Sequence, residues 1–306
     1  AGMTNAQGEN NCFVNVIVQL LWHVPGFRDE IAATSRQNEL ILALKGVFAD
    51  LSAAGAAPGR SVSAEALRRA LSDDFKLGGM GDAVEAFESL LGRLRKHGAA
   101  SAVALFDWTA GTGPAAFTQS ILYITVADLR SAASRSRSAP FDEILRAAMG
   151  TGPRPGVAGS LPAVFTLGLA WDTPDPSPEQ LSVLLDSVDE TIDLSRVLRG
   201  DAAAGAAEHA ELCGIVCYHS SSHYCAIVRE AVSGVWLHCD DSAVTMLGMT
   251  WLDVRFKCAS SKYLPALVLY RKATANGAYA DGAGATGPGS WVNMAVRVPP
   301  PGGNGS

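Results

Sequence analysis

Apolar positions near the start of the chain recur at helical spacing. Cys12–Trp22 is apolar at nearly every position and contains neither Gly nor Pro, which predicts a buried helix that the Pro-Gly pair at 25–26 ends. Residues 36–52 and 82–97 repeat apolar positions every three or four residues, and this period predicts two further helices. Asp82, followed three residues later by a second acid, has the spacing of a capping box. This part of the chain is therefore predicted to be mostly helical.

After about residue 101 the pattern changes to short apolar runs and alternation, which are typical of strands. The segments that predict strands are residues 117–126, 164–171, 212–219, 223–229, 234–239 and 263–271. Helices first and strands later indicate an α+β chain with segregated halves.

This division gives a helical half over residues 1–100 and a β-rich half over 101–273. Residues 274–306 are rich in Gly, Pro, Ala and Ser, and their composition predicts a disordered tail. Three internal stretches rich in Ala, Gly or Ser predict flexible loops; they are residues 53–60, 131–139 and 201–207.

Composition narrows the class of protein. The chain has 306 residues, of which 48% are hydrophobic and 18% are charged, and its net charge is −6. A weak acidic balance argues against a nucleic-acid partner, and no uncharged stretch has the character of a membrane-spanning helix. Six cysteines are too few for a disulfide scaffold in a chain of this length, so we expect a reducing compartment, the cytoplasm or the nucleus. The chain starts at Ala1, and we expect it to be a monomeric domain of a longer protein.

Candidate chemistry lies in two distant segments. Cys12 stands at a loop-to-helix junction, where the helix dipole favours a thiolate. His223 opens one predicted strand and Asp240, followed by Asp241, closes the next. A hairpin that turns near 233–234 would bring His223 and Asp240 together. Cys, His and an acid form the constellation for acyl transfer through a thioester, because the His activates the thiol and later protonates the leaving group, while the acid orients the ring.

Three blocks in a fixed order resemble the ubiquitin-specific proteases. Gly2-Met3-Thr4-Asn5 with Asn11-Cys12-Phe13 resembles the family's Cys box, and its further residues are Gly8, Asn15 and Gln19 to Leu21. The block around His223-Tyr224 and Asp240-Asp241 resembles the His box, and its further residues are Trp236, Val244, Trp251 and 265–270. Asp82-Ala83, Glu85, Phe87 and Leu90-Leu91 resemble the helix that lies between the two boxes in the family. Residues 161–171 resemble the strand that precedes the cleft for the ubiquitin tail.

The resemblance implies a papain-like cysteine protease fold with a helical thumb, a β-sheet palm and fingers. Because residues 101–211 contain no Cys, we expect reduced fingers without structural zinc, and we expect no cofactor. The resemblance also implies that Cys12 is the nucleophile, His223 the general base and Asp240 the orienting acid, with Asp241 as the alternate for the orienting acid. Ubiquitin or polyubiquitin would be the partner, and the activity would be hydrolysis after the ubiquitin C-terminal glycine.

The loop before Cys12 departs from the family pattern, because it is two residues longer than in typical members. This longer form resembles a divergent branch that includes plant ubiquitin-carboxyl-terminal-hydrolase-related proteins. Asn5 stands at the motif-equivalent place for the side chain that donates to the oxyanion, while Gln7 stands at the family spacing and Asn10 and Asn11 are further amide donors. Ser222 and Gly81 replace the Gly and Gln that the family usually carries. An inactive ubiquitin-binding scaffold of the same fold is therefore the alternative function.

Zinc is the alternative use of the later cysteines. Its candidate ligands all lie within 27 residues and are Cys213, Cys217, His219, His223, Cys225, His238 and Cys239. Strand alternation would place Cys213, Cys217 and His219 on one face. The spacings nevertheless match no paired Cys-x-x-Cys pattern, and the triad already uses His223. We expect no metal, and we expect Cys213, Cys217, Cys225 and Cys258 to fill the core.

Overall fold

A computed structural model describes residues 1–55, 60–111, 114, 116–136, 138–150, 160–199, 206–219 and 222–272. The tail predicted over 274–306 and parts of the predicted loops lie outside these described residues. Across the described ranges, no helix is both long and apolar enough to span a bilayer.

The helices of the described residues fall into two groups along the chain. The first group is α1 Cys12–Trp22, α2 Pro25–Ala33, α3 Glu39–Gly55, α4 Glu65–Ala70, α5 Ala83–Lys96 and α6 Ala100–Ala104. The second group is α7 Val126–Arg135, α8 Phe141–Ala148, α9 Pro178–Ser187, α10 Leu194–Leu198 and α11 Trp251–Ser261.

The strands form one large sheet and two short pairs. They are β1 Gly2–Met3, β2 Ser61–Val62, β3 Trp108–Ala110, β4 Phe117–Gln119, β5 Leu122–Thr125, β6 Val164–Ala170, β7 Thr191–Asp193, β8 His209–His219, β9 His223–Arg229, β10 Trp236–Asp240, β11 Ala243–Gly248 and β12 Leu264–Lys272. The eight-stranded sheet has the order β11-β10-β9-β8-β12-β6-β5, with β7 beside β8. Its pairs are antiparallel except for β5 with β6.

Helices cover both faces of the sheet. Val216 and Val228 point into a core that also contains the buried sides of α1, α3 and α5. Their neighbours Ile215 and Ile227 point into a second core, which contains the buried sides of α7 to α11. Because successive residues of a strand face opposite sides, strands buried on both faces become apolar throughout. The α+β prediction is confirmed, with the first helical group on one face of the sheet.

Helix α1 packs directly on the sheet. All of its residues except Trp22 are buried. Gly214 of β8 permits this close approach, because a Cβ at that position would lie 2.5 Å from Cδ1 of Leu20. The predicted helix over Cys12–Trp22 is confirmed at both ends, and its burial against β9 and β8 fixes where Cys12 lies.

The sequence-based predictions missed several helices and misassigned one loop because they overlooked capping. The Pro-Gly pair at 25–26 ends α1, and Pro25 also begins α2, where its fixed φ suits the first helical position. The loop predicted over 131–139 is helical to Arg135, since the Thr125 hydroxyl caps α7 by accepting from Asp128 N. Thr250 likewise opens α11 with a capping box, and neither α11 nor β11 was predicted.

Candidate active site

Cys12 is the first residue of α1, and it is 2% exposed. Asn11 precedes it as the N-cap residue. The free N–H groups and the positive end of the helix dipole therefore point toward the sulfur, and both favour negative charge there. The helix start that the apolar run predicted therefore places this thiol at the positive end of a helix.

His223 and Asp240 come together through the hairpin of β9 and β10. His223 opens β9, Asp240 closes β10, and the two strands pair antiparallel with Cys239 opposite Ala226. The His223 Nε2 and Asp240 Oδ1 atoms are 2.6 Å apart. The hairpin expected from the spacing is confirmed, and it delivers the acid to one nitrogen of the ring.

The Cys12 thiol lies within hydrogen-bonding reach of the same ring. Since Asp240 occupies Nε2, Nδ1 is the ring nitrogen left for the sulfur. The bond to Asp240, followed by the contact with Cys12, raises the pKa of His223 from 6.5 to about 10. The bond from His223 lowers the pKa of Asp240 below its usual value. The ring is therefore an imidazolium at neutral pH, between a carboxylate and the sulfur.

Asp241 lies beside this pair and organises the surrounding loops. Its Oδ2 is 3.8 Å from His223 Nε2, well beyond the 2.6 Å of Asp240. Its two carboxylate oxygens accept hydrogen bonds from Asn5 Nδ2 at 2.7 Å and from Asn15 Nδ2 at 2.8 Å. Its carbonyl oxygen accepts from Met3 N at 2.7 Å. Asp241 therefore joins the N-terminal strand, the Cys12 loop and α1 to the end of β10.

The loop before Cys12 turns through two left-handed residues, Gly8 and Asn10, with φ of 86° and 53°. Asn5 spans the base of this loop, because its Oδ1 accepts from Asn11 N at 2.8 Å while its Nδ2 holds Asp241. Both ends of the Asn11 side chain are engaged: Nδ2 donates to Glu9 at 3.1 Å, and Oδ1 accepts from Arg68 at 2.7 Å. Gln7 is exposed.

Comparison with known proteins identifies the family. The family model described as ubiquitin carboxyl-terminal hydrolase matches residues 1–270. The chain belongs to this family. It is 28% identical over 328 residues to ubiquitin carboxyl-terminal hydrolase 53 of Homo sapiens, an alignment that covers 88% of this chain and 30% of that protein. It is also 28% identical to ubiquitin carboxyl-terminal hydrolase 54 of Rattus norvegicus, over 88% of this chain and 20% of the relative. The chain thus spans a third or less of the relatives' length.

Two solved structures share the fold at 15% identity. The Saccharomyces cerevisiae PAN2 pseudoubiquitin-hydrolase has a TM-score of 0.61, with 89% of this chain and 85% of that chain covered. The SAGA DUB module bound to monoubiquitin has a TM-score of 0.59, with 90% and 69% covered. The predicted papain-like class is confirmed, and the family gives the chain a deubiquitinase-type hydrolase domain. Strands β3 and β4 form a separate antiparallel pair with three residues in each strand.

Two departures from the family pattern have structural counterparts. Ser222, where the family usually carries Gly, has a φ of 58°. This left-handed conformation costs a non-Gly residue about 1–2 kcal/mol. Gly81 lies against the Phe13 ring, and a Cβ at this position would be only 2.6 Å from a ring carbon. The absent Gln side chain therefore leaves room for the residue next to Cys12.

The alternative zinc ligands separate onto two faces of the sheet. Cys213 lies in the core on the α1 side, whereas Cys217 and Cys225 lie in the core on the opposite side. The register of β8 against β12 shifts at Cys213, because Leu212 and Gly214 pair with consecutive residues of β12. The expectation that Cys213 and Cys217 share a face is therefore wrong, since a bulge reverses the alternation. Among the described residues, the one group with ligand atoms close enough for a metal ion is His223, Asp240 and Asp241.

Three residues that support the site received no role from sequence reasoning. Asn15 was noted only through the family resemblance, yet a polar residue inside an apolar helix is a signal that its side chain has a buried partner. Tyr224 donates its hydroxyl to Asp82 at 2.8 Å, which ties β9 to the start of α5. Arg68, on α4, is 1% exposed and contacts the Cys12 loop. The sequence does not distinguish it from Arg69, the same residue type at the next position, which is exposed.

We expect Asp240→Asn to reduce kcat/KM by about 10²- to 10⁴-fold, and more than Asp241→Asn does, because Asp240 is the closer carboxylate to the ring. The pH profile of kcat/KM gives a second measurement. The wild-type alkaline limb should lie near pH 10, where His223 loses its proton, and Asp240→Asn should move it down by about one to three pH units. The opposite order of the two variants would assign the orienting role to Asp241.

Proposed function

We propose that the chain is a thiol-dependent deubiquitinase that hydrolyses the isopeptide or peptide bond after the ubiquitin C-terminal glycine. The observation that carries the proposal is the position of the His223 ring, which interacts with both the Cys12 thiol and the Asp240 carboxylate at the N-terminus of α1. The substrate class comes from membership in the ubiquitin carboxyl-terminal hydrolase family. Ubiquitin or polyubiquitin is the partner that this proposal implies.

The chemistry follows from the charges of the three side chains. The Cys12 thiolate attacks the carbonyl carbon of the terminal glycine, and the carbonyl oxygen becomes an oxyanion against the free N–H groups of α1. The tetrahedral intermediate collapses as the His223 imidazolium gives its proton to the leaving amine, which leaves a thioester on Cys12. Neutral His223 then takes a proton from water, the hydroxide displaces the sulfur, and free ubiquitin departs. Asp240 keeps the ring oriented in both steps.

A ubiquitin-binding scaffold without turnover is the second candidate, and the Asn5 side chain favours it. At the motif-equivalent place for an oxyanion donor, Asn5 already holds Asp241 and Asn11 N. Only one of the two Nδ2 hydrogens of Asn5 is left for the oxyanion, because Asp241 accepts the other and holds the amide in place, which restricts it as a donor. In the scaffold, the geometry of Cys12 and His223 would remain while transition-state stabilisation is lost.

A ubiquitin probe with a C-terminal electrophile separates the candidates. We expect it to form a covalent adduct with the wild-type protein, and peptide mass spectrometry should place the adduct on Cys12. All six cysteines are free thiols and buried, so the site of the adduct is informative. Ubiquitin without the electrophile, measured for binding alone, is the matched control. Binding without an adduct would support the scaffold, and an adduct on another cysteine would refute the assignment of Cys12.

We also propose a cytoplasmic or nuclear location for this domain. Support comes from the six free thiols, in particular Cys217 and Cys225, which lie directly opposite each other on neighbouring strands without a bond between them. An oxidising compartment would favour a disulfide in such a pair. Fluorescence imaging of the full-length protein tests this location, and a secreted product would contradict it.

A further inference from the structure

Arg68 places a guanidinium in the protein interior beside the Cys12 loop. The residue is 1% exposed, although it lies on a short helix whose next residue, Arg69, has a side chain that is 62% exposed. Burying a charged group is costly unless hydrogen bonds replace the lost water. The partners of Arg68 therefore show what the buried charge is used for.

The guanidinium binds two separate loops at once. Nη1 donates to Glu9 O at 2.6 Å, Asn10 O at 2.7 Å and Asn11 Oδ1 at 2.7 Å. Nη2 donates to Lys76 O at 2.7 Å and Gly79 O at 2.5 Å. The first set is the three residues that immediately precede Cys12, and the second set is the loop that leads to α5. One side chain thus holds the Cys12 loop against a second loop.

The surroundings of Arg68 also connect it to the nucleophile electrostatically. Its guanidinium carbon lies 5.0 Å from the centroid of the Phe13 ring, on the residue after Cys12. Burial lowers the pKa of Arg68, while a negative Cys12 and then Glu9 oppose that shift. All five hydrogen-bond acceptors are neutral carbonyl oxygens, four of the backbone and one of the Asn11 side chain, so none of them neutralises the positive charge.

We propose that Arg68 is a positioning residue for Cys12: its two-pronged guanidinium fixes the loop so that the sulfur and the first N–H groups of α1 meet the substrate carbonyl in reactive geometry. The inference rests on the proposed hydrolase function and adds a residue that does not touch the substrate. The planar fork is essential, because a Lys ammonium cannot donate to both loops in the same fixed directions. The same loop contains the two-residue extension and its left-handed Asn10, which explains why this chain needs an internal clamp.

The test is steady-state cleavage of ubiquitin carrying a fluorogenic C-terminal amide. We expect Arg68→Gln to lower kcat by about 100-fold, the loss typical of one missing oxyanion donor, with KM within about threefold of wild type. Arg68→Lys keeps the charge but not the fork, and its kcat should exceed that of Arg68→Gln by less than about tenfold. Arg69→Gln is the matched control on the same helix, and it should behave as wild type because its partner Glu65 is an exposed i,i+4 neighbour.

The outcomes decide the proposal in each case. Equal kcat for Arg68→Gln and Arg69→Gln would overturn the proposal. A loss of kcat in Arg68→Gln that equals its loss of folded protein, measured by circular dichroism, would also overturn it. If Arg68→Gln does not fold, Asn10→Gly takes its place. That variant suits the positive φ and removes only the bond from Asn10 Nδ2 to Gly78 O, at 2.8 Å, between the same two loops. A several-fold lower kcat at constant KM supports the clamp, and a wild-type kcat refutes it.

Alkylation of Cys12 by iodoacetamide, followed by peptide mass spectrometry, separates this inference from the proposed function. If the wild type neither cleaves ubiquitin nor reacts with the ubiquitin probe, the hydrolase proposal has failed. In that case, slower alkylation of Cys12 in Arg68→Gln than in Arg69→Gln would still support the clamp. Equal alkylation rates in the two variants would overturn it.

Discussion

Cys12→Ala is expected to reduce kcat for ubiquitin hydrolysis by about 10⁶-fold, to a level indistinguishable from no enzyme. The reason is that the mechanism passes through a bond to this sulfur, which the other two thiols on the same side of the sheet are not suited to replace. Cys213 and Cys239 lie in the core on the same side of the sheet as Cys12, and the pKa of each thiol is raised by burial, to about 11 and about 12. Buried neutral thiols of this kind are poor nucleophiles.

The variant should still bind ubiquitin, because only one sulfur atom is removed from a buried position. Equilibrium binding of unmodified ubiquitin to Cys12→Ala and to wild type therefore serves as the control. Cys213→Ala is the matched variant, and it should keep wild-type turnover since Cys213 is bonded to Leu269 O inside the core. Residual turnover in Cys12→Ala above about 1% of wild type would contradict the assignment.

His223→Ala is expected to reduce kcat/KM by about 10⁴- to 10⁶-fold, because the same ring must hold the sulfur as a nucleophile and protonate the leaving amine. Iodoacetamide should also alkylate Cys12 more slowly in this variant, since the positive partner of the sulfur is lost. His219→Ala is the matched control. Its ring centroid lies 5.1 Å from that of His223 on the neighbouring strand, and we expect a change below about tenfold, equivalent to about 1.4 kcal/mol.

Stability measurements give an independent check on His223. Its pKa is about 10 in the folded protein against 6.5 ordinarily, so binding of the proton favours the folded state. This contribution is fully present below about pH 6.5 and is lost as pH rises through about 10. We therefore expect His223→Ala to lower the free energy of unfolding more at pH 6 than above pH 10. A pH-independent difference would show that the charged ring is not held by Asp240.

Local sequence patterns predicted the elements that carry the three site residues. The apolar run from Cys12 to Trp22 has no breaker, so α1 and its start followed from neighbours in the chain. The strands β9 and β10 are adjacent in sequence, and their hairpin brings together residues only 17 positions apart. The roles of Cys12, His223 and Asp240 remain predictions until the variants are measured, but the structure brings all three together.

Other features depended on interactions that local patterns do not contain. The bulge at Cys213 reverses the side to which that residue points, and it arises from the register between β8 and β12 rather than from the strand's own sequence. Helices α7 to α11 were missed in the half predicted as β-rich, although Thr250 opens α11 with a capping box. The helical layer that covers the second face of the sheet was therefore absent from the prediction.

The sequence by itself determined the α+β class, the helix that begins at Cys12, the His223–Asp240 hairpin and the family. These features are encoded in periodicity and short motifs, each of which is read from a few neighbouring residues. Only the tertiary structure decided which carboxylate meets the ring, how Asn5 and Asp241 close the loop, and that Arg68 lies buried against the loop before Cys12. The physical reason is that burial and hydrogen bonding of a charged side chain depend on which surfaces meet in the fold. Arg68 and Arg69 are the same residue type in adjacent positions, yet packing buries one and leaves the other in solvent.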